Sequence, residues 1–168
     1  MEPKLSEPTR ILFVCLGNIV RSPLAENIFR HLANEAGVGE NYDVDSAGTA
    51  AYHIGDSPDS RMRQVAAARG LDYDGSGRQV SAQDFYDFDL IIPMDTSNSA
   101  DLMALASKPE HREKIHMMRE FDSLSEDDPS VPDPYYGGID GFEKVYDIVE
   151  RSARELLARL QRDELKSP

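Results

Sequence analysis

A chain of 168 residues, 40% apolar and 29% charged, can bury a real core as one compact soluble domain. Its formal net charge of −13 makes nucleic-acid backbones and anionic membranes poor partners, so any phosphate site must be locally positive within a negative surface. A single cysteine excludes an intramolecular disulfide and a cysteine-based zinc cluster.

No apolar run approaches the ~20 residues of a membrane helix. Residues 1–9 (MEPKLSEPT) lack the basic start and apolar stretch of a signal peptide, so the expected location is cytoplasmic. Residues 10–14 (RILFV) read as a buried strand. A helix over 23–35 follows, with Leu24, Ile28 and Leu32 on one face, Ser22 as N-cap and Pro23 in the first turn. Residues 42–47 form a second strand. Residues 57–69 form a second helix, with Met62, Val65 and Ala66 inward and Gly70 ending it. One helical turn is expected at 81–86, and a third strand at 90–94 that ends or bulges at Pro93. A third helix at 97–106 and a fourth strand at 114–118 precede a loop over 119–138. A long closing helix spans 139–162, with an apolar stripe running from Phe142 to Leu160.

This alternation predicts an α/β fold: a single domain over 1–168, with a four-stranded, mostly parallel sheet and helices on both faces. Residues 1–8 and 163–168 are expected to be flexible tails. Ligands of such sheets bind beyond the carboxyl ends of the strands, which points to Cys15.

Cys15 leaves the first strand, five residues intervene, and Arg21 precedes a helix. That spacing lets Leu16, Gly17, Asn18, Ile19 and Val20 curl with their backbone N–H groups inward, making an anion nest. The helix adds its free N–H groups and dipole, and Arg21 adds a planar fork for phosphate oxygens. Gly17 and Asn18 tolerate the positive φ of a tight loop. The same field favours the thiolate of Cys15, and Ser22 can donate a hydrogen bond to that sulfur. Cys-x5-Arg alone is weakly specific. The rival reading is a buried strand-end cysteine beside an unrelated arginine.

The full string VCLGNIVRSPLAE resembles the signature of the low-molecular-weight protein tyrosine phosphatases. DSAGT at 45–49, PMDTSN at 93–98 and DPYYGG at 133–138 follow in family order. The resemblance implies a flavodoxin-like phosphatase fold and phosphotyrosine hydrolysis through a phosphocysteine. Cys15 is then the nucleophile, Arg21 binds phosphate, and Leu16 to Val20 with Ser22 surround it. Asp133 is the implied general acid and base. Its setting supports this independently, because flanking prolines fix its direction and the adjacent tyrosines can supply an apolar wall. By resemblance, Tyr135 and Tyr136 stand at the rim and Tyr52 on the opposite wall, although Tyr52 reads equally well as a half-exposed loop residue. Ser46 and Asn98 are implied to brace the phosphate loop through Asn18, and Asp95 to orient the loop or pair with a basic residue.

Departures from the family pattern matter. Val20 stands where many eukaryotic members carry a second cysteine. The loop at 73–78 lacks the family's supporting histidine. Ile19 resembles the tyrosine-specific form, whereas phosphoarginine-specific relatives carry threonine there. His31, His53, His111 and His116 show no metal-ligand spacing, so neither a metal nor a cofactor is expected. The expected partners are tyrosine-phosphorylated proteins, with inorganic phosphate or other oxyanions as product or inhibitor, and a monomer is the default. Arsenate reduction needs further cysteines. A phosphocysteine carrier needs neither Arg21 nor Asp133. A catalytically dead phosphotyrosine-binding module would have lost Cys15, Arg21 or Asp133.

Overall fold

The structure, a computed structural model, describes residues 7–165. Its centre is β1 (Thr9–Cys15), whose run from Ile11 to Cys15 is buried on both faces. β2 (Tyr42–Gly48) and β3 (Leu90–Pro93) flank it in parallel, in the order β2-β1-β3. Cys15 lies opposite Gly48, and Val14 opposite Pro93. The carboxyl ends of all three strands therefore meet at one edge.

The strand period of two sorts the core. Ile11, Phe13 and Cys15 face α1 (Arg21–Glu35), α2 (Ser60–Ala68) and α6 (Ile139–Gln161). Leu12 and Val14 face Phe85 of α3 (Asp84–Asp87) and Leu102 of α4 (Thr96–Leu105). Helices thus cover both faces of the sheet. α6 packs along α1 and α2 through Phe142, Val145, Tyr146, Val149, Ala153 and Leu156. Each fully buried side chain of this kind contributes about 1.5–3 kcal/mol.

Three expectations are corrected. The sheet has three strands, not four. The run 114–118 makes one bridge, Ile115 to Ile91, with hydrogen bonds of 2.9 and 3.1 Å. The short α5 (Pro109–Arg112) precedes it, and a 3-10 turn at Met118–Phe121 then carries the chain away and buries Met118 and Phe121. The second helix starts later than expected because Asp59 caps it, accepting from the N–H groups of Arg61 (2.8 Å) and Met62 (3.3 Å). Ser22 is not an N-cap. α1 begins at Arg21 after an uncapped Val20, and the Ser22 side chain turns to the sulfur instead.

Of the expected tails, residues 1–6 and 166–168 lie outside the described residues. Residues 163–165 form a turn, with Glu164 paired to Arg162 and Leu165 against the core. Among the described residues, no helix is long and apolar enough to cross a membrane.

Candidate active site

Cys15 ends β1 with only 2% of its surface exposed. Its Sγ lies 3.0 Å from Ser22 Oγ. Asn18 donates from Nδ2 to the same hydroxyl at 2.9 Å, which leaves the hydroxyl proton for the sulfur or for the Ala47 carbonyl oxygen at 3.3 Å. Asn18 adopts φ +57, the left-handed conformation that asparagine tolerates, and its Oδ1 accepts from the Arg78 N–H at 2.9 Å. The Arg78 guanidinium is itself held by Asp84 and Asp45.

The rest of the loop is pinned through its carbonyls. Cys15 accepts from Thr49 N–H (2.9 Å), Leu16 from Ala50 (3.0 Å) and Ile19 from Asp59 (2.7 Å). Gly48 permits this approach, because a Cβ there would sit 2.8 Å from the Leu16 carbonyl oxygen.

Arg21 follows the loop and is almost fully buried. Its Nη1 donates to Asp95 Oδ2 at 2.7 Å and to the Val131 carbonyl at 3.0 Å. Its Nη2 lies 3.5 Å from Asp133 Oδ2. Asp95 uses its other oxygen to cap α4 through the Asn98 N–H at 2.7 Å, so the expected basic partner of Asp95 is Arg21. The side-chain oxygen of Asn98 is buried and has no partner among the described residues. Ser46 differs from its expected role: its hydroxyl donates to Glu26 of α1 at 2.6 Å, bracing the helix after the loop rather than the loop itself.

A cleft of about 260 Å³ opens over the thiol. It is lined by Cys15, Leu16, Gly17, Ile19, Val20 and Arg21, by Tyr52 and His53 of the loop after β2, and by Asp133, Tyr135 and Tyr136 of the loop before α6. Tyr52 and Tyr136 are 77% and 98% exposed and stand at the rim. Tyr135 is half-buried, with the Tyr136 ring edge-on at 5.0 Å. The Asp133 side chain is 41% exposed, and its Oδ1 accepts from the Tyr135 N–H at 3.1 Å.

Two neighbours of the site were not anticipated. His53 lines the cleft, with Nδ1 3.0 Å from Asp56 Oδ2; its place beside Tyr52 is the sequence signal for it. Arg61 backs Tyr135, donating from Nη1 to the Tyr135 carbonyl at 3.0 Å, and nothing local in the sequence points to that contact.

Comparison with known proteins identifies the family. The family model of the low molecular weight phosphotyrosine protein phosphatases matches residues 10–166. A low molecular weight protein-tyrosine-phosphatase of Bacillus subtilis is 41% identical over 155 residues, 91% of this chain and 96% of that protein. The crystal structure of a protein tyrosine phosphatase from Entamoeba histolytica, with Hepes in its active site, superposes with a TM-score of 0.89 at 40% identity, covering 93% of this chain and 99% of that one. A Drosophila arginine phosphatase superposes with a TM-score of 0.83 at 36% identity, covering 90% and 97%. With a thiol, an arginine and a carboxylate around one cleft and a family match over nearly its whole length, the chain belongs to the low molecular weight phosphotyrosine protein phosphatases.

Proposed function

We propose that this protein, acting as a single cytoplasmic domain over residues 1–168, hydrolyses phosphotyrosine in proteins through a phosphocysteine on Cys15. The observation that carries this reading is the convergence of Cys15, Arg21 and Asp133 on one cleft, with Ser22 Oγ 3.0 Å from the sulfur. In the first step the Cys15 thiolate attacks phosphorus. The S–P bond forms as the P–O bond to the aryl group breaks, and the proton of Asp133 goes to the departing phenolate oxygen. Arg21 and the loop N–H groups take the charge on the equatorial oxygens. In the second step the Asp133 carboxylate accepts a proton from water, whose oxygen attacks phosphorus. The S–P bond breaks, the Ser22 hydroxyl donates to the leaving thiolate, and inorganic phosphate departs. None of these steps needs a metal or a cofactor.

Depth supports the choice of tyrosine. The thiol lies at the floor, and the tyrosines at the rim can hold an aryl ring between them. Phosphoarginine is the second reading, favoured by the Drosophila arginine phosphatase; Ile19 in the cleft lining favours tyrosine.

The test is turnover of an aryl phosphate with EDTA present. Cys15→Ser should abolish turnover and keep phosphate binding, and unchanged turnover would sink the proposal. Parallel peptides carrying phosphotyrosine or phosphoarginine decide the substrate: faster release of phosphate from phosphoarginine would reverse the assignment.

A further inference from the structure

Resting on the reading of Asp133 as general acid, we infer that Arg61 is the positioning residue that sets this carboxylate over the thiol. The segment from 122 to 138 forms turns but no helix or strand, so its own backbone ladder does not fix where Asp133 points. Its direct contact with Arg21 is long, at 3.5 Å. Met94 and Arg21 hold the backbone of Val131, two residues earlier, but the Asp133 carboxylate itself is held by the Tyr135 N–H, which donates to Oδ1 at 3.1 Å.

Arg61 in turn holds Tyr135. Its Nη1 donates to the Tyr135 carbonyl at 3.0 Å, and its guanidinium lies 5.2 Å from the Tyr135 ring centre and 4.6 Å from that of Phe142. The other edge of the fork grips Asp59, with Nη2 at 2.9 Å and Nε at 3.2 Å. Burial pushes the Asp59 carboxyl up, but hydrogen bonds from the Arg61 side chain and from the N–H groups of Arg61 and Met62 outweigh it and hold the carboxyl below the usual range. Asp59 therefore presents a firm anion to Arg61. Its own N–H donates to the Ile19 carbonyl at 2.7 Å.

The contacts run Ile19, Asp59, Arg61, Tyr135, Asp133. They cross from the phosphate loop to the acid-bearing loop behind the cleft wall, and Arg61 stands outside the residues that line the cleft. Three guanidinium nitrogens make hydrogen bonds while the group lies over two aromatic rings, a combination that an ammonium cannot supply at once. A misplacement of the acid by about 1 Å is enough to cost roughly 100-fold in rate.

The test is leaving-group dependence. kcat/KM, which reports phosphocysteine formation, is measured for aryl phosphates from p-nitrophenyl to phenyl, with wild type, Arg61→Lys, Arg61→Ala and Asp133→Asn. Thermal unfolding identifies the folded variants; if Arg61→Ala does not fold, Arg61→Lys carries the test. The expected result is a loss of about 10-fold or more on phenyl phosphate, at most about 3-fold on p-nitrophenyl phosphate, and no change in the rate of Cys15 alkylation by iodoacetate. Arg61→Lys should fall between Arg61→Ala and wild type. Combined with Asp133→Asn, Arg61→Ala should add little further loss on phenyl phosphate, because both changes remove the same proton transfer. Equal slowing across leaving groups, fully additive losses, or slower alkylation would overturn the inference. A leaving-group-blind Asp133→Asn would instead remove the reading of Asp133 on which it rests.

Discussion

Asp95 holds Nη1 of Arg21 at 2.7 Å, while Nη2 of the same guanidinium faces the cleft. One nitrogen is committed to the scaffold and the other lies beside Asp133 at the cleft. Asp95→Ala removes the closer of the two carboxylates at a buried cation, leaving Asp133 at 3.5 Å, and removes the cap of α4. Losses of about 2 kcal/mol and about 1 kcal/mol are expected in urea unfolding. Inhibition by phosphate should weaken about 10-fold or more, because the fork is no longer aimed.

Gly48→Ala tests the close approach of β2 to the phosphate loop. The added Cβ would meet the Leu16 carbonyl oxygen at 2.8 Å and the Asn18 nitrogen at 3.1 Å, both of them backbone atoms that cannot rotate aside. The loop must shift. kcat/KM on an aryl phosphate should fall about 10-fold or more, with a stability loss of about 1–3 kcal/mol from overpacking.

Tyr73 carries a pH signature of its own, outside the residues that line the cleft. Burial pushes its hydroxyl well above the ordinary value, and the charge of Arg63 offsets only part of this. A raised folded-state value means that stability is fully present below the unfolded value near pH 10 and is lost as pH rises from there through the folded value. The hydroxyl is buried without a hydrogen-bond partner among the described residues. Tyr73→Phe should therefore be neutral or stabilising by up to about 1 kcal/mol at pH 7. It should also flatten the alkaline loss, read as urea midpoints between pH 7 and about pH 11.

The net charge of −13 predicts how salt acts on substrates. Raising ionic strength shortens the Debye length to about 10 Å at 0.1 M and screens like-charge repulsion. kcat/KM for a phosphotyrosine peptide with acidic flanks should rise about 2-fold or more between low and physiological salt, whereas a peptide with basic flanks should lose rate.

The parts of the site that are local in sequence were the legible ones. The thiol, the loop after it and Arg21 occupy one stretch between a strand and a helix, so their neighbourhood could be read from spacing. Asp133 was readable because prolines frame it. Ser46 entered only through the family resemblance, as a brace of the phosphate loop, and not as the partner of Glu26, because that contact depends on how α1 lies over β2. Arg61 and the Arg78 amide reach the site only after distant segments meet, and no pattern near them announces it. The fold missed at 114–118 for a similar reason. Ile115 has the apolar character of a strand, but the buried turn at Met118–Phe121 ends the pairing after one bridge.

The order of synthesis adds a consequence. Every residue lining the cleft, from Cys15 to Tyr136, precedes Ile139, where α6 begins. The apolar faces of α1 and α2 are completed by that last helix, which packs along both. A nascent chain that has emerged as far as Tyr136 thus holds every chemical group of the site on an unfinished support. Activity should switch on late in translation, when α6 clears the ribosome and docks.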